Sequence, residues 1–232
     1  MKRPRFSIDK TCTSLGVAII IGVALPGCAT ETHQAVDVPQ VKAAARSYSG
    51  PKIAVAIGKF DNRSAFLRGI FSDGVDRLGG QAKTILTTHL QDAGRFSVLD
   101  RENLEEIKRE ATIGGQSQAL KSAAYTITGD ITEFGRKEVG DEQLFGIAGS
   151  GKKQIAYAKV SLYVVNVATS EVVTSVQGAG EYALSSREIV GFGGTSGYDS
   201  TLNGKVLDLA IRQAVDALVQ KFESGKWSAA NP

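Results

Sequence analysis

Cysteine and histidine are almost absent from this chain, which contains two of each. His33 lies in a polar stretch and His89 stands beside Leu90 in a helical pattern, which indicates surface or boundary histidines. A zinc site or a Ser-His-Asp triad would lack its usual components. Glu105 and Glu106 are adjacent, so they point in different directions and are more simply solvated. We therefore expect no enzyme activity, no bound metal and no cofactor.

The N-terminal apolar run is too short to cross a bilayer as a helix. Residues 14–25 are uncharged and mainly apolar, but they number 12, whereas a spanning helix needs about 20. The basic residues Lys2, Arg3, Arg5 and Lys10 precede this run, and Gly27 follows it. This is the layout of a cleaved secretory signal. The sequence therefore predicts that residues 1–27 are a signal peptide.

Cys28 follows this run in the sequence Leu25-Pro26-Gly27-Cys28, which resembles a lipobox. The pattern predicts lipidation at Cys28, and the alternative is an ordinary secreted protein with a chance cysteine. Cys12 lies within the signal, so the processed chain has no internal disulfide. Position 29 is Ala, not Asp, which resembles lipoproteins sent to the outer membrane. We expect a lipid-anchored protein of the outer membrane whose domain faces the periplasm.

Removal of the signal also removes the basic character of the chain. The full sequence has 27 Lys and Arg against 24 Asp and Glu, and residues 1–27 hold four basic residues and one acid. The processed chain therefore has 23 of each sign and no net charge. No cluster of basic residues with interleaved aromatics remains, so we exclude nucleic acid as a partner.

The rest of the chain predicts one α/β domain with a mixed sheet. Residues 28–50 are polar and alanine-rich and are interpreted as a lipidated tether, followed by the domain at 51–232. The patterns predict strands at 52–60, 96–99 and 125–134, a hairpin of 158–167 and 171–176 joined by Ala168-Thr169-Ser170, and helices at 81–92, 100–110 and 202–222. Asp100 is expected to cap the second helix, with Leu104 and Ile107 as its buried stripe. Residues 61–80 are predicted to be a long loop, which favours a functional segment or disorder.

Two glycine-rich segments, 134–157 and 181–201, have the length of two ten-residue strands plus a turn. This is the length that a membrane-crossing β-hairpin requires. Four such strands cannot close a useful barrel, so a pore would need several subunits side by side. The alternative is two surface flaps on a soluble domain.

Residues 146–153 (GIAGSGKK) have the glycine and lysine spacing of a phosphate-binding loop. Such a loop needs a hydroxyl next and then a helix, whereas here Lys153 replaces the hydroxyl and a strand pattern follows. The pattern therefore favours structural glycines over nucleotide binding.

Over residues 52–218 the sequence resembles the curli-secretion channel lipoprotein family, CsgG. The motifs that carry the resemblance are Phe60-Asp61, 96–104 (FSVLDRENL), 127–131 (ITGDI), 145–147 (FGI), 160–172 (VSLYVVNVATSEV) and Gly197-Tyr198. The resemblance implies an outer-membrane ring of identical subunits, each contributing two hairpins to a shared β-barrel above an α/β periplasmic domain.

The sequence departs from the family in the loop at 61–80, which matches the family's constriction. The family's Tyr, Asn and Phe fall on Gly69, Asp73 and Gly74 by simple spacing, and the two hairpins are shorter than in the curli channel itself. The remaining candidates for a constriction are Phe66, Ile70, Phe71 and Asp73.

These features lead to two functional hypotheses. The first is a homo-oligomeric outer-membrane lipoprotein that forms a channel or assembly platform for export or anchoring of an extracellular, curli-like protein. Its partners are outer-membrane lipid and a secreted or surface-anchored protein cargo. The second is a soluble periplasmic regulatory lipoprotein that binds a cell-envelope enzyme or partner without forming a pore.

Overall fold

The computed structural model describes residues 38–66, 76–142, 150–187 and 202–227, and their strands form one mixed five-stranded sheet. The elements in chain order are a 3-10 helix Lys42–Ala45, β1 Ile53–Asn62, α1 Arg77–Asp92, β2 Phe96–Leu99, α2 Leu104–Ile113, β3 Tyr125–Glu142, β4 Ser150–Asn166, β5 Val172–Arg187 and α3 Leu202–Glu223. The sheet order is β2-β1-β3-β4-β5, with β1 parallel to both neighbours and β3, β4 and β5 antiparallel. The predicted α/β class with a mixed sheet is confirmed. Among the described residues, no helix is long and apolar enough to span a bilayer.

The core lies between the sheet and two helices, α1 and α3, which also pack on each other. On α1 the buried stripe recurs at helical spacing, as expected for a helix with one face on a sheet. The opposing strands alternate buried and less buried residues, so one sheet face forms the core. The fully buried residues include Ala82, Leu86 and Leu90 of α1, Leu207, Ile211 and Leu218 of α3, and Ile127, Ile131, Val160, Leu162 and Val164 of the sheet.

The strand and helix predictions are confirmed for β1, β2, β3 and α3; β2 has the predicted ends and the other three have different ends. Strand β1 continues to Asn62, and α1 begins at Arg77 because the Asp76 side chain accepts a hydrogen bond from the Gly79 N–H. Of the loop predicted at 61–80, residues 61–62 therefore belong to β1 and residues 77–80 to α1, while residues 67–75 lie outside the described residues.

The turn between β4 and β5 is the predicted one at residues 168–170. Asn166 Oδ1 accepts hydrogen bonds from the N–H groups of Ala168 (2.8 Å) and Thr169 (3.2 Å). Ser170 adopts φ 59°, a left-handed conformation that a short polar side chain tolerates better than a bulky one. The hairpin register therefore follows from local turn chemistry.

Helix α2 differs from its prediction. It begins at Leu104 after Asn103, and no residue of it is buried. Asp100 instead accepts hydrogen bonds from the N–H groups of Glu102 and Asn103, and the bonds from Asn103 lower the pKa of its carboxyl. Ile107 is 41% exposed, so the expected buried stripe is wrong. Sequence periodicity identified the apolar face of the helix but not whether anything covers it.

The folded unit begins at Pro39, within the segment interpreted as tether. Val41 is 2% and Ala43 is 1% exposed, and both belong to the core cluster. The Lys42 N–H donates to Asp216 Oδ1 of α3 at 2.8 Å. The compact unit therefore includes residues 39–50, which the sequence pattern assigned to the tether, because two small apolar side chains without a sustained period are enough to dock the segment.

Gly178 is the position where α3 approaches β5 most closely. A Cβ there would overlap Ala210 O and lie 2.5 Å from Ala214 N, both backbone atoms of α3. We expect Gly178→Ala to lower the free energy of unfolding by about 1–3 kcal/mol, as overpacking does. Thermal unfolding of the purified protein should show a fall of roughly 2–4 °C per kcal/mol.

Gly80→Ala is the matched control, since a Cβ at this exposed position of α1 meets nothing within 4 Å. We expect it to leave stability unchanged or raise it by up to about 1 kcal/mol, because alanine is the better helix former. Equal melting temperatures for the two variants would contradict the close packing of α3 on β5.

Candidate functional site

Strands β3, β4 and β5 continue past the helices at one end of the sheet. Strand β3 pairs with β1 only as far as Ile131. The first turn of α3 marks the limit of the helical layer, because Arg136 Nε donates to Asn203 Oδ1 at 2.8 Å. Beyond that point the pairing continues from Lys137↔Ile155↔Ala183 to the last described rungs of the β3–β4 and β4–β5 pairs. We call residues 137–142, 150–155 and 183–187 the strand extension.

The strand extension reaches well beyond the core. Six residues of β3 at about 3.3 Å each give it a length of roughly 20 Å. Residues 135–142 and 150–157 of the first predicted hairpin pair antiparallel in a continuous register. In the second predicted hairpin, residues 181–187 pair with β4. Residues 188–201 of the second hairpin and residues 143–149 of the first lie outside the described residues.

A β-bulge lies between the core and the strand extension. The register of β3 with β4 shifts between Ile131 and Glu133, which leaves Thr132 as the extra residue. Its Oγ1 donates to Lys159 O at 3.2 Å. A bulge bends a strand and increases its twist. Strand β1 also ends here, so the bulge is where the three longer strands leave the five-stranded sheet.

Aromatic side chains surround the first rungs beyond the bulge. Tyr157 pairs with Gly135 across β3 and β4, and a Cβ at Gly135 would lie 2.5 Å from the Tyr157 hydroxyl. Glycine is therefore required for this ring to lie over the neighbouring strand. Tyr157 is 37% and Tyr182 is 40% exposed, and the Lys205 ammonium lies 5.4 Å from the Tyr182 ring centroid.

The β1–α1 loop leaves the domain at this same end, and Asp76 closes its base. Asp76 Oδ2 accepts from the Asn62 N–H at 2.6 Å and Oδ1 accepts from the Gly79 N–H at 2.8 Å. One carboxylate thus joins the last residue of β1 to the first turn of α1. A Cβ at Gly79 would collide with Phe60 O and with Asp76, so glycine is needed there.

Asn62 holds the outgoing arm of the loop. Its Oδ1 accepts from the Ser64 hydroxyl (2.6 Å) and N–H (3.0 Å), and its Nδ2 donates to Phe66 O at 2.9 Å. Residues 62–66 are therefore fixed before the chain enters residues 67–75, which lie outside the described ranges.

Of the four constriction candidates, the structure describes Phe66 alone. Its ring centroid lies 4.8 Å from that of Phe134, and its partly buried side chain packs against the core. Phe66 thus connects the loop base to the first rungs beyond the bulge. Ile70, Phe71 and Asp73 lie outside the described residues.

Arg63 fixes the start of the loop to β3. Its Nε donates to Asp130 Oδ1 at 2.7 Å, and its N–H donates to Ile131 O at 3.0 Å. The hydrogen bond and the negative charge of Asp130 raise the pKa of the Arg63 guanidinium, because both favour its charged form. The loop, β1 and β3 are therefore joined one residue before the bulge.

His89 is buried, which corrects its interpretation as a surface or boundary residue. It is 2% exposed, and its Nε2 lies 2.8 Å from Asp208 Oδ1 on α3. Within the described ranges its Nδ1 has no hydrogen-bond partner. The pair joins α1 to α3, and no sequence pattern indicates it because the partner is 119 positions away.

The glycine- and lysine-rich motif at 146–153 ends in a strand. Residues 150–153 belong to β4 and pair with β3, and residues 151–153 also pair with β5. They do not begin a helix, so this part lacks the helix N-terminus that a phosphate-binding loop supplies. The structure thus agrees with the interpretation of these glycines as structural.

The sequence interpretation did not identify Asn62 and Asp76 as residues of this site. Asp76 carries a usable signal, because an Asp shortly before a helical pattern is a typical N-cap. Its second hydrogen bond, to Asn62 across the loop, has no signal in a single sequence. The structure therefore adds the loop base to the candidate site.

Replacing the carboxylate that closes the loop should loosen the loop. We expect Asp76→Ala to lower the free energy of unfolding by about 1–2 kcal/mol, since it removes an N-cap and a second hydrogen bond. Hydrogen exchange should accelerate at the amides of Asn62 and Gly79. Glu106→Ala, which removes an exposed carboxylate on α2, should change neither quantity; equal exchange in the two variants would contradict the role of Asp76.

Comparison with known proteins gives matches over most of the chain. The family model of the curli production assembly/transport component CsgG matches residues 34–231. A candidate lipoprotein of Neisseria meningitidis serogroup B is 60% identical over 218 residues, which cover 94% of this chain and 98% of the relative.

Two solved structures show a weaker likeness. The PelC dodecamer from Paraburkholderia phytofirmans has a TM-score of 0.34 at 15% identity, covering 74% of this chain and 95% of that one. A lipoprotein from Neisseria meningitidis has a TM-score of 0.34 at 11% identity, covering 74% and 99%. The family assignment rests on the sequence matches, which span nearly all of the folded unit: this chain belongs to the CsgG family of curli production assembly/transport components.

Proposed function

We propose that this protein is an outer-membrane lipoprotein, anchored through Cys28, that assembles into a ring and forms a channel or assembly platform for an extracellular protein. The observation that carries the proposal is the strand extension. It projects beyond the core, and both of its outer strands, β3 and β5, have an open edge there. Membership of a family described as a curli assembly/transport component supports the same function.

The two open edges favour association of copies. In the described part of the chain, β3 has no partner on its β1 side beyond Ile131, and β5 pairs with β4 alone. An exposed strand edge presents unpaired N–H and C=O groups that recruit other strands. In lipid these groups must be paired, so an open sheet cannot enter a bilayer alone. Pairing the β5 side of one copy with the β3 side of the next closes the sheet around a ring.

The closed loop base supports a narrowing at the same end of the molecule. Asp76, Asn62 and Phe66 fix both arms of the β1–α1 loop beside the bulge from which the strand extension leaves. In a ring, the loops of all copies are brought around one axis. Ile70, Phe71 and Asp73 are then the residues that line the constriction, and Phe66 is its anchor. Cargo would pass by diffusion, since the outer membrane supplies no energy source.

The aromatic residues suit a position near a membrane surface. Tyr157 and Tyr182 are partly exposed at the rungs immediately before the strand extension. Aromatic side chains form girdles at the two interfaces of membrane barrels. The next rungs are polar in sequence, and the apolar residues Leu144, Phe145 and Ile147 follow in the segment connecting β3 to β4. Charged residues near an interface cost about 0–1 kcal/mol each, much less than at the bilayer midplane.

A second function is favoured by the same polar rungs. Lys137, Glu138, Asp141, Glu142 and Lys152 all belong to the strand extension, and neither alternating set of rungs is apolar. A wall between lipid and water has one apolar face. A soluble periplasmic regulatory lipoprotein, whose strand extension binds an envelope partner in water, is consistent with this composition.

Native mass and planar-bilayer conductance of the detergent-extracted lipoprotein separate the two functions. We expect a ring of many subunits with steady conductance, because the open edges of each copy are paired by its neighbours. Residues 134–157 should also resist protease in intact outer membranes. A monomer or small oligomer without conductance would support the regulatory lipoprotein instead.

A shortened variant tests whether the strand extension forms the conducting path. Lys137 and Ile155 are directly paired, so joining them through Asn-Gly removes residues 138–154 and leaves a two-residue hairpin. We expect conductance to fall at least tenfold while the melting temperature stays within a few degrees of the parent. Glu106→Ala serves as the control with full conductance. Unchanged conductance in the shortened variant would contradict the channel.

A further inference from the structure

The buried guanidinium of Arg95 holds the N-terminal segment of the domain. Arg95 is 3% exposed. Its Nη1 donates to the carbonyl oxygens of Ala43 (2.9 Å), Arg46 (3.1 Å) and Ala93 (2.7 Å). Its Nε and Nη2 donate to Glu223 Oε1 at 3.0 and 2.8 Å. One side chain thus joins the N-terminal segment, β2 and the end of α3.

Further contacts hold the same segment. Arg46 pairs with Glu223 Oε2 at 3.1 Å, and the Tyr48 ring centroid lies 4.9 Å from Arg95 Cζ. Tyr48 also packs edge-on to Phe222, with centroids 6.2 Å apart. We call Arg95, Glu223 and Asp216, together with residues 41–48 that they hold, the N-terminal clamp. Its charges are paired, so releasing the segment leaves buried polar groups without partners.

The N-terminal clamp lies at the opposite end of the domain from the strand extension. Glu223 ends α3, whereas Asn203 in its first turn binds Arg136 at the base of the strand extension. Twenty residues of helix at about 1.5 Å each separate the two ends by roughly 30 Å. The length of β3 gives the same separation. Tyr125 lies beside Trp227 at the clamp end, and Phe134 lies nine residues further along the strand, about 30 Å at 3.3 Å per residue.

The length of the tether between Cys28 and the clamp is comparable to the distance between the two ends of the domain. Thirteen Cα-to-Cα steps, through twelve intervening residues, separate Cys28 from Val41, the first buried residue of the clamp. Fully extended, they reach about 43–47 Å. As a relaxed coil they span only about 18–22 Å. The 30 Å separation lies between these limits, so the tether reaches the base of the strand extension with only a few residues to spare.

We infer that the N-terminal clamp sets the height of the lipid anchor, leaving just enough chain for acylated Cys28 to reach the membrane that the strand extension enters. This inference rests on the proposed channel. Because residues 41–48 are held at the far end, acylated Cys28 can share a membrane with the strand extension only if the tether is long enough to span the domain. The clamp therefore holds the lipid and the strand extension at the same membrane surface in a defined orientation.

Deletions in the tether test this length requirement. Removing residues 30–32 leaves ten steps, about 33–36 Å, which still spans the domain, whereas removing 30–37 leaves five steps, about 17 Å, which does not. Both deletions keep Cys28 and Ala29. We expect the short deletion to behave as the parent. The long deletion should remain in the membrane fraction but lose conductance at least tenfold and expose residues 134–157 to protease.

Opening the clamp should rescue the long deletion. Ala43→Asp introduces a charge at a position that is 1% exposed and releases residues 39–50, which adds about 36 Å of chain. We expect Ala43→Asp to restore conductance to the 30–37 deletion to within about twofold of the parent. Arg95→Gln should do the same from the other side of the contact, and Lys42→Ala, which keeps its backbone hydrogen bond to Asp216, should not.

The outcomes separate this inference from the function on which it rests. Full conductance in the long deletion, or no rescue by either clamp variant, overturns the clamp while leaving the channel intact. Absence of conductance in the full chain overturns the channel, and the clamp inference with it. Retention of every variant in the membrane fraction shows that lipid anchoring itself is unchanged.

Discussion

Helix α3 lies directly on the backbone of β5, because Gly178 and Gly180 leave no side chain between the two elements. A Cβ at Gly180 would lie 2.9 Å from Val206 O and 3.1 Å from Ala210 N. This contact fixes the helix along the antiparallel half of the sheet. Its first turn then meets Arg136 and its last turn meets Arg95. The strand extension and the N-terminal clamp thus lie at opposite ends of α3, which packs along the sheet.

Local patterns in the sequence predicted the elements whose causes are local. Alternation identified β3, the short connection Ala168-Thr169-Ser170 between two strand patterns identified the β4–β5 hairpin, and helical spacing identified α3. The loop base, the burial of His89 and the clamp could not be predicted in the same way. Arg95 and Glu223 are 128 positions apart, and each alone looks like a surface charge. For α2 the reverse error occurred, since an apolar stripe indicates a face without showing what covers it.

Buried polar side chains at Arg95 and His89 have the same physical role. Each is nearly inaccessible and each has a partner on α3, Glu223 for Arg95 and Asp208 for the Nε2 of His89. Burying a polar group without a partner costs several kcal/mol, so only one docking geometry of α3 satisfies both. Apolar contacts along the helix would tolerate small shifts. The glycines of β5 allow α3 to lie against the strand backbone, and the polar pairs determine where along the strand the helix docks.

The composition of the strand extension limits how a ring could sit in a membrane. Unpaired strand edges are hydrated in water but each costs several kcal/mol in lipid, so pairing between copies is obligatory only inside a bilayer. The charged rungs from Lys137 to Glu142 cost most at the midplane and little near an interface. The cost of unpaired strand edges and the cost of the charged rungs are both small only in one arrangement. In it the charged rungs lie close to the membrane surface and the apolar residues after Glu142 lie deeper. In that proposed arrangement the base of the strand extension, where Phe66 meets Phe134, is at the periplasmic surface of the outer membrane, and the proposed lipid on Cys28 would have to reach the same level.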